Sequence, residues 1–250
     1  MMDAGAAYAQ TALASDVRGL APHFDPDLKN PWGFSETPQG QFRISANASG
    51  SSPIYNAQGR IVGVPITLPV PPGGAPPSAP NGNVSNATTD FVVSEHGRSG
   101  PATVLFSTED GTIIGWNPKV DRTHGVMAAD LSQSGAVFKL LAADSVDGSN
   151  YLYATDFHNG VVDVFDKDFH LVTLSANQFT DPSIPAGFAP FGVKNVDGTL
   201  FVSYAKQDAD KHDDVEGVGN GFIDEFDASG RFLTRFASQG TLNSPIDMAV

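Results

Sequence analysis

Apolar and polar positions along this chain fall into short bursts separated by polar, glycine-bearing turns. Val104 to Pro118 reads VLFSTEDGTIIGWNP, and Tyr151 to Asp166 reads YLYATDFHNGVVDVFD. Each is an apolar or alternating run of four to six residues, a turn, a second run, and an aromatic followed by Asn or Asp. Such runs, rich in β-branched and aromatic side chains, predict half-buried strands. Glu109-Asp110-Gly111 and His158-Asn159-Gly160 predict hairpin turns, because glycine accepts positive φ without a steric cost. A third copy runs from Leu200 to Asp227 with an insertion inside it, and a weaker fourth spans Phe42 to Asn56. The closing residues Asn56, Asn117, Asp166 and Asp227 cap the next turn through their own backbone. Their middle interval fits a four-stranded unit of about 40–50 residues; the outer two require insertions.

A second element precedes the hairpins: Pro, a large apolar residue, Gly or Asp, then an apolar residue. It occurs as Pro31-Trp32-Gly33-Phe34, Pro190-Phe191-Gly192-Val193 and Pro245-Ile246-Asp247-Met248. A small residue in a strand permits close approach of a neighbouring backbone. Together the two elements predict an all-β fold, a β-propeller, with this motif on the innermost strand of each blade. About four blades and the start of a fifth are expected here, in a ring of about six when complete. The expected organisation is an N-terminal extension over 1–24 and one incomplete propeller domain over 25–250. Surface insertion loops are expected near 62–90, rich in Pro, Gly, Ser and Asn, and near 207–219. Helix signals are nearly absent. Residues 121–141 are the best candidate, but two internal glycines favour an irregular strand connection.

The strand pairs resemble NHL-type repeats, in which a Pro-x-Gly strand precedes a hairpin of the kind closed by Val162-Asp163-Val164-Phe165-Asp166. More closely, the chain resembles a family of exported bacterial β-propellers without an established activity. That likeness rests on Asn30-Pro31-Trp32-Gly33, Thr108 to Ile113, Gly115-Trp116-Asn117-Pro118, Pro185 to Phe191, Tyr204 to Asp208 and Leu242-Asn243-Ser244-Pro245. It departs from the family at Pro245-Ile246-Asp247, where Pro-Trp-Gly is usual. The resemblance implies a secreted, periplasmic or cell-surface protein. The first ten residues carry neither a basic nor an apolar leader segment, so no signal peptide is expected within the chain.

Charge narrows the partners. With 28 acidic and 14 basic residues the formal net charge is −14, which disfavours phosphate backbones and anionic lipid surfaces. Nucleic acid is excluded as a primary partner, and no membrane span is expected. The chain has no cysteine, so disulfides and thiolate chemistry are impossible. No Gly-x-Ser-x-Gly elbow is present, and the six histidines are scattered.

Overlaying the repeats puts the turn after each second strand on one face, around one mouth of the channel. Its occupants are Asn47, Glu109 and Asp110, Asp156 and His158, and Lys206 and Asp208, the candidate ligand-binding set. Within it Glu109, Asp156, His158 and Asp208 have the oxygen and imidazole donors to hold Ca²⁺ or a transition metal. The other reading is that these residues cap hairpin turns. Residues 208–216 are densely acidic, but no register meets the EF-hand pattern, so a solvated or Ca²⁺-bound loop stays open. Trp32 and Trp116 are expected to pack between blades, with a carbohydrate-stacking platform as the alternative. The expected function is a binding or scaffold module for a small molecule, carbohydrate or protein. The alternative is a Ca²⁺-dependent hydrolase or lactonase at the channel mouth.

Overall fold

The structure is a computed structural model and describes residues 10–248. Strands β1 (Ala14–Ser15) and β2 (His23–Phe24) pair in parallel ahead of the first blade. Blade 1 contains β3 (Pro31–Glu36), β4 (Phe42–Ala46), β5 (Ser51–Ser52), β6 (Ile54–Tyr55) and β7 (Ile66–Thr67). Blade 2 starts at β8 (Pro80–Ser85), carries a side hairpin of β9 (Val92–Glu95) and β10 (Arg98–Pro101), and continues through β11 (Val104–Thr108), β12 (Thr112–Trp116) and β13 (Val126–Asp130). Blade 3 is β14 (Phe138–Val146), β15 (Ser149–Asp156) and β16 (Val161–Phe165). Blade 4 is β17 (Phe188–Val196), β18 (Thr199–Lys206), β19 (Gly221–Asp227) and β20 (Phe232–Ser238). Within each blade neighbouring strands are antiparallel. The fold is the expected all-β propeller arrangement, with four blades among the described residues.

The blades stack face to face, so their middle strands are buried on both sides. Every residue of β11 is buried. Its alternate side chains serve different neighbours. Val104 and Phe106 join Ile66 and Leu68 of blade 1, whereas Leu105 joins Phe138 and Leu141 of blade 3. A larger cluster joins blades 3 and 4 through Tyr153, Val164, Val193, Val202 and Phe226. The turn at Gly111, with φ of +78°, is tight in the way its sequence predicts.

The innermost strands approach closely at glycine. A Cβ on Gly33 would lie 2.3 Å from the Asn81 carbonyl oxygen, and one on Gly82 would lie 2.9 Å from Leu140 Cα. At Gly192 the obstacle is the Ile246 carbonyl oxygen, at 1.7 Å. The segment carrying Pro245 thus lies beside β17 as an innermost strand would, although it forms no strand.

A buried hydroxyl on the second strand of blades 1 to 3 reinforces this approach. Ser45 Oγ donates to the Gly82 carbonyl (3.4 Å), Ser107 Oγ to the Lys139 carbonyl (2.9 Å) and Thr155 Oγ1 to the Phe191 carbonyl (3.1 Å). Each bond links one blade to the innermost strand of the next. Ser203 occupies the same position in blade 4; its hydroxyl is buried and unpartnered.

Two expectations change. Residues 62–90 are not a surface loop throughout, because they contain β7 and the whole innermost strand β8. Pro80-Asn81-Gly82-Asn83 is a further copy of the Pro-x-Gly motif, hidden in a stretch of turn-forming composition. Trp32 is 40% exposed, because Gly33 faces blade 2 and Trp32 projects from the opposite face of β3.

Ser107 Oγ also accepts the Gly82 N–H at 3.1 Å, so Ser107→Ala would strand two buried backbone groups. The expected loss is about 2 kcal/mol, read as a lower urea midpoint with an unchanged m value.

Candidate functional site

Strand register fixes which loops share a face. Ala46 pairs with Pro31, Thr108 with Pro80, Asp156 with Phe138 and Lys206 with Phe188. Each second strand therefore ends beside the beginning of its innermost strand. The turns bearing all seven predicted site residues lie on one face of the arc.

Their side chains do different things there. Asp110 Oδ2 accepts from Ser78 Oγ and from the Ala79 N–H, both at 2.8 Å. Asp156 is 1% exposed; its Oδ1 accepts the Val137 and Asn159 N–H groups, and its Oδ2 accepts Asn159 Nδ2. Asp208 Oδ1 accepts the His212 N–H within its own loop. These three are turn and loop caps, as carboxylates beside free N–H groups commonly are. Lys206 is exposed at the end of β18. His158 offers its carbonyl oxygen to Gln207 Nε2.

Asn47 and Glu109 do meet. Asn47 Nδ2 donates to Glu109 Oε2 at 3.0 Å, and Asn81 Nδ2 donates to Oε1 at 3.3 Å. The Lys139 ammonium, whose side chain is 3% exposed, pairs with Glu109 Oε1 and lies 3.4 Å from Asp213. It also lies 5.7 Å from the Phe157 ring centroid and 5.8 Å from that of Phe191. Residues of all four blades thus converge on one ion-paired knot that fills this mouth. Asp213 arrives from the 207–219 insertion, which Gln207 ties to blade 3 through the Phe157 carbonyl.

The four predicted metal ligands do not gather. Among the described residues, the one group of three or more carboxylates and imidazoles within 4.8 Å of one another is Asp166, Asp168 and His170. These sit in an exposed turn, where Asp166 Oδ1 already accepts the Asp168 and His170 N–H groups. Glu109 faces an ammonium and two amide donors, an environment that satisfies a carboxylate without Ca²⁺. The mouth expected to hold Ca²⁺ is closed by a lysine instead.

The open space lies at the other end of the channel. A cavity of about 370 Å³ is bounded by β3, β8, β14 and β17 together with Asp247. Ser35 and Asn83 line it, and Ser35 Oγ and Asn83 Oδ1 are buried without a hydrogen-bond partner. Glu36, Lys194 and Asp247 add charge, Lys194 Nζ standing 3.5 Å from Asp247. Lys139 and the cavity residues escape sequence reasoning for different reasons. Lys139 is a lone cation inside the apolar run VFKLL, a detectable signal. Ser35 and Asn83 belong to innermost strands, which carry no hairpin signature.

No protein-family model matches the chain. An uncharacterised protein of Acanthamoeba polyphaga mimivirus is 31% identical over 243 residues, covering 94% of this chain and 63% of that protein. A second uncharacterised protein of the same virus is 29% identical over 239 residues, covering 93% and 58%. The chain therefore spans about three fifths of the length of these relatives, which are viral rather than bacterial. Among solved structures, virginiamycin B lyase from Staphylococcus aureus, bound to quinupristin, superposes with a TM-score of 0.55 at 18% identity. The match covers 86% of this chain and 58% of that one. That likeness shows the propeller fold. Among the described residues no helix is long and apolar enough to cross a membrane.

Lys139→Met would leave the Glu109 carboxylate in the closed mouth without its cation. We expect a loss of about 3 kcal/mol, largely recovered when Glu109→Gln is added; chemical denaturation of the two single variants and the double variant measures this. Asp163, half-buried in β16 with Asp156 nearby, has its carboxyl pushed up to about 7, chiefly by desolvation. The folded chain keeps that proton while the unfolded chain releases it, so stability falls as pH rises from about 4 to 7. Asp163→Asn should raise stability by about 2 kcal/mol above pH 7 and leave it nearly unchanged at pH 4, as melts across that range would show.

Proposed function

We propose that this chain is a binding module that takes a small polyhydroxylated ligand, of the carbohydrate class, in its axial cavity. The observation that carries the proposal is the pair of buried, unpartnered polar atoms, Ser35 Oγ and Asn83 Oδ1, lining a cavity bounded by all four innermost strands. Buried polar atoms are almost always paired in native structures, and an unpaired one calls for a partner. A sugar hydroxyl both donates and accepts, and matches an amide oxygen and a serine hydroxyl together. The rim holds two carboxylates and one ammonium, which favours an uncharged polar guest over a polyanion. Concave, mostly apolar sites with a few convergent polar groups are where small ligands bind.

On this reading the closed mouth is structural, and the insertion over it fixes blade 4 to blade 3. The turn carboxylates position loops and do not act on a substrate. An exported location, implied by the family resemblance, belongs to the same proposal.

Saturation-transfer NMR with a panel of mono- and disaccharides tests the binding. At least one sugar should respond, with or without calcium, and remain chemically unchanged. Ser35→Leu, which fills the cavity and removes the hydroxyl, should weaken that response at least tenfold. Silence across the panel, equal binding by the folded variant, or turnover of the sugar would overturn the proposal.

A further inference from the structure

Blades 1 and 2 meet through a cluster of five buried residues, smaller than the main clusters between blades 2 and 3 and between blades 3 and 4, and a charge stands inside their interface. Arg43 on β4 is 6% exposed. It lies two residues before the hydroxyl latch of its blade, on the same side of the strand. The corresponding residues of the other blades are Leu105, Tyr153 and Phe201. Blade 1 alone places a cation where its repeats place an apolar side chain.

That cation is incompletely satisfied. Arg43 Nη1 donates to the Ser52 carbonyl at 3.3 Å, and the guanidinium carbon lies 5.1 Å from the Trp116 ring centroid. Arg43 enters no ion pair among the described residues, although the chain carries twice as many acidic as basic residues. Burial lowers its pKa to about 10, so it stays charged at neutral pH. Burying a charge without a counter-charge is costly, and stacking on an aromatic ring returns only part of that cost.

Arg43 borders a groove of about 610 Å³ between the two blades. Trp116 lines the same groove, and its indole N–H is buried without an acceptor. Arg122, exposed and likewise outside any ion pair among the described residues, stands at the rim. Much of the remaining wall is apolar, including Pro38, Ile54 and Val64. The side chains of Arg43, Trp116 and Arg122 each present N–H donors, and two of the three are cationic.

We propose that this groove is a second binding site, separate from the axial cavity, for a small organic carboxylate with an apolar body. The carboxylate would take the free N–H groups of Arg43, a charge-assisted bond of the strong kind. The apolar body would lie along Pro38, Ile54 and Val64, beside the Trp116 ring. A purely inorganic anion would leave that wall uncovered, and a neutral ligand would leave the guanidinium unpaired.

Trp32 and Trp116 are the only tryptophans, so Trp32→Phe leaves Trp116 as the sole indole reporter. In that background, octanoate and benzoate are titrated against octanamide and benzamide while Trp116 fluorescence is followed. The expected result is a saturable change with an acid, at least tenfold weaker with its amide. Arg122→Gln should weaken the acid severalfold, and Arg43→Gln at least tenfold with the circular dichroism spectrum retained. If neither acid saturates, if acids and amides bind alike, or if folded Arg43→Gln binds unchanged, the proposal fails. Should Arg43→Gln not fold, the comparison of acid with amide decides the matter.

Discussion

The constraint on which this structure depends is the distance between innermost strands. Gly33, Gly82 and Gly192 stand where even a methyl group would collide with the backbone or side chains of the following unit. That closeness brings the carbonyls of Gly82, Lys139 and Phe191 within reach of the hydroxyls of Ser45, Ser107 and Thr155. Hydrophobic burial between blades supplies most of the favourable free energy, but it is non-directional. The hydroxyl bonds and glycine contacts set how far each blade is rotated from its neighbour. They thereby set the width of the axial cavity and the convergence of four blades on Lys139.

Sequence legibility follows from what each strand packs against. The strand pairs β11–β12, β15–β16 and β18–β19 are readable because a strand between two blades needs apolar side chains on both faces, and the tight turns of the first two need glycine. The innermost strand β8 is written PNGNVS, since close approach and the channel ask for small and polar residues. The same composition marks loops, so the span from residue 62 to 90 looks structureless until its neighbours are known. The site divides in the same way. Register put all seven predicted residues on one face, which follows from the repeat alone. Whether a carboxylate there caps a turn or faces a cation depends on side chains from other blades. Asp110 and Asp156 find N–H groups within their own blades, at Ala79, Val137 and Asn159; Glu109 finds Lys139 of the next blade, and nothing in its own hairpin announces that.

The charge balance becomes meaningful only once placed. A net charge of −14 describes an acidic surface, yet the interior positions of consequence are cations. Lys139 is fully compensated, and its mouth is closed. Arg43 is not compensated, and the groove beside it is open. The difference lies in geometry: Glu109 sits at the tip of a hairpin that reaches the axis, whereas β4 and β12 bring no acidic side chain to Arg43.

Each hydroxyl latch runs in one direction, from the second strand of a blade to the first strand of the next. A blade thus presents a donor on one side and an acceptor on the other, which makes the contact between blades heterologous, head to tail. Units of that kind are interchangeable in series: a duplicated blade brings both halves of the contact with it and can be spliced in without new complementarity. Ring size is then a matter of copy number and twist, while specificity can diverge in one blade at a time. The arginine found only in blade 1 is an example of such local divergence.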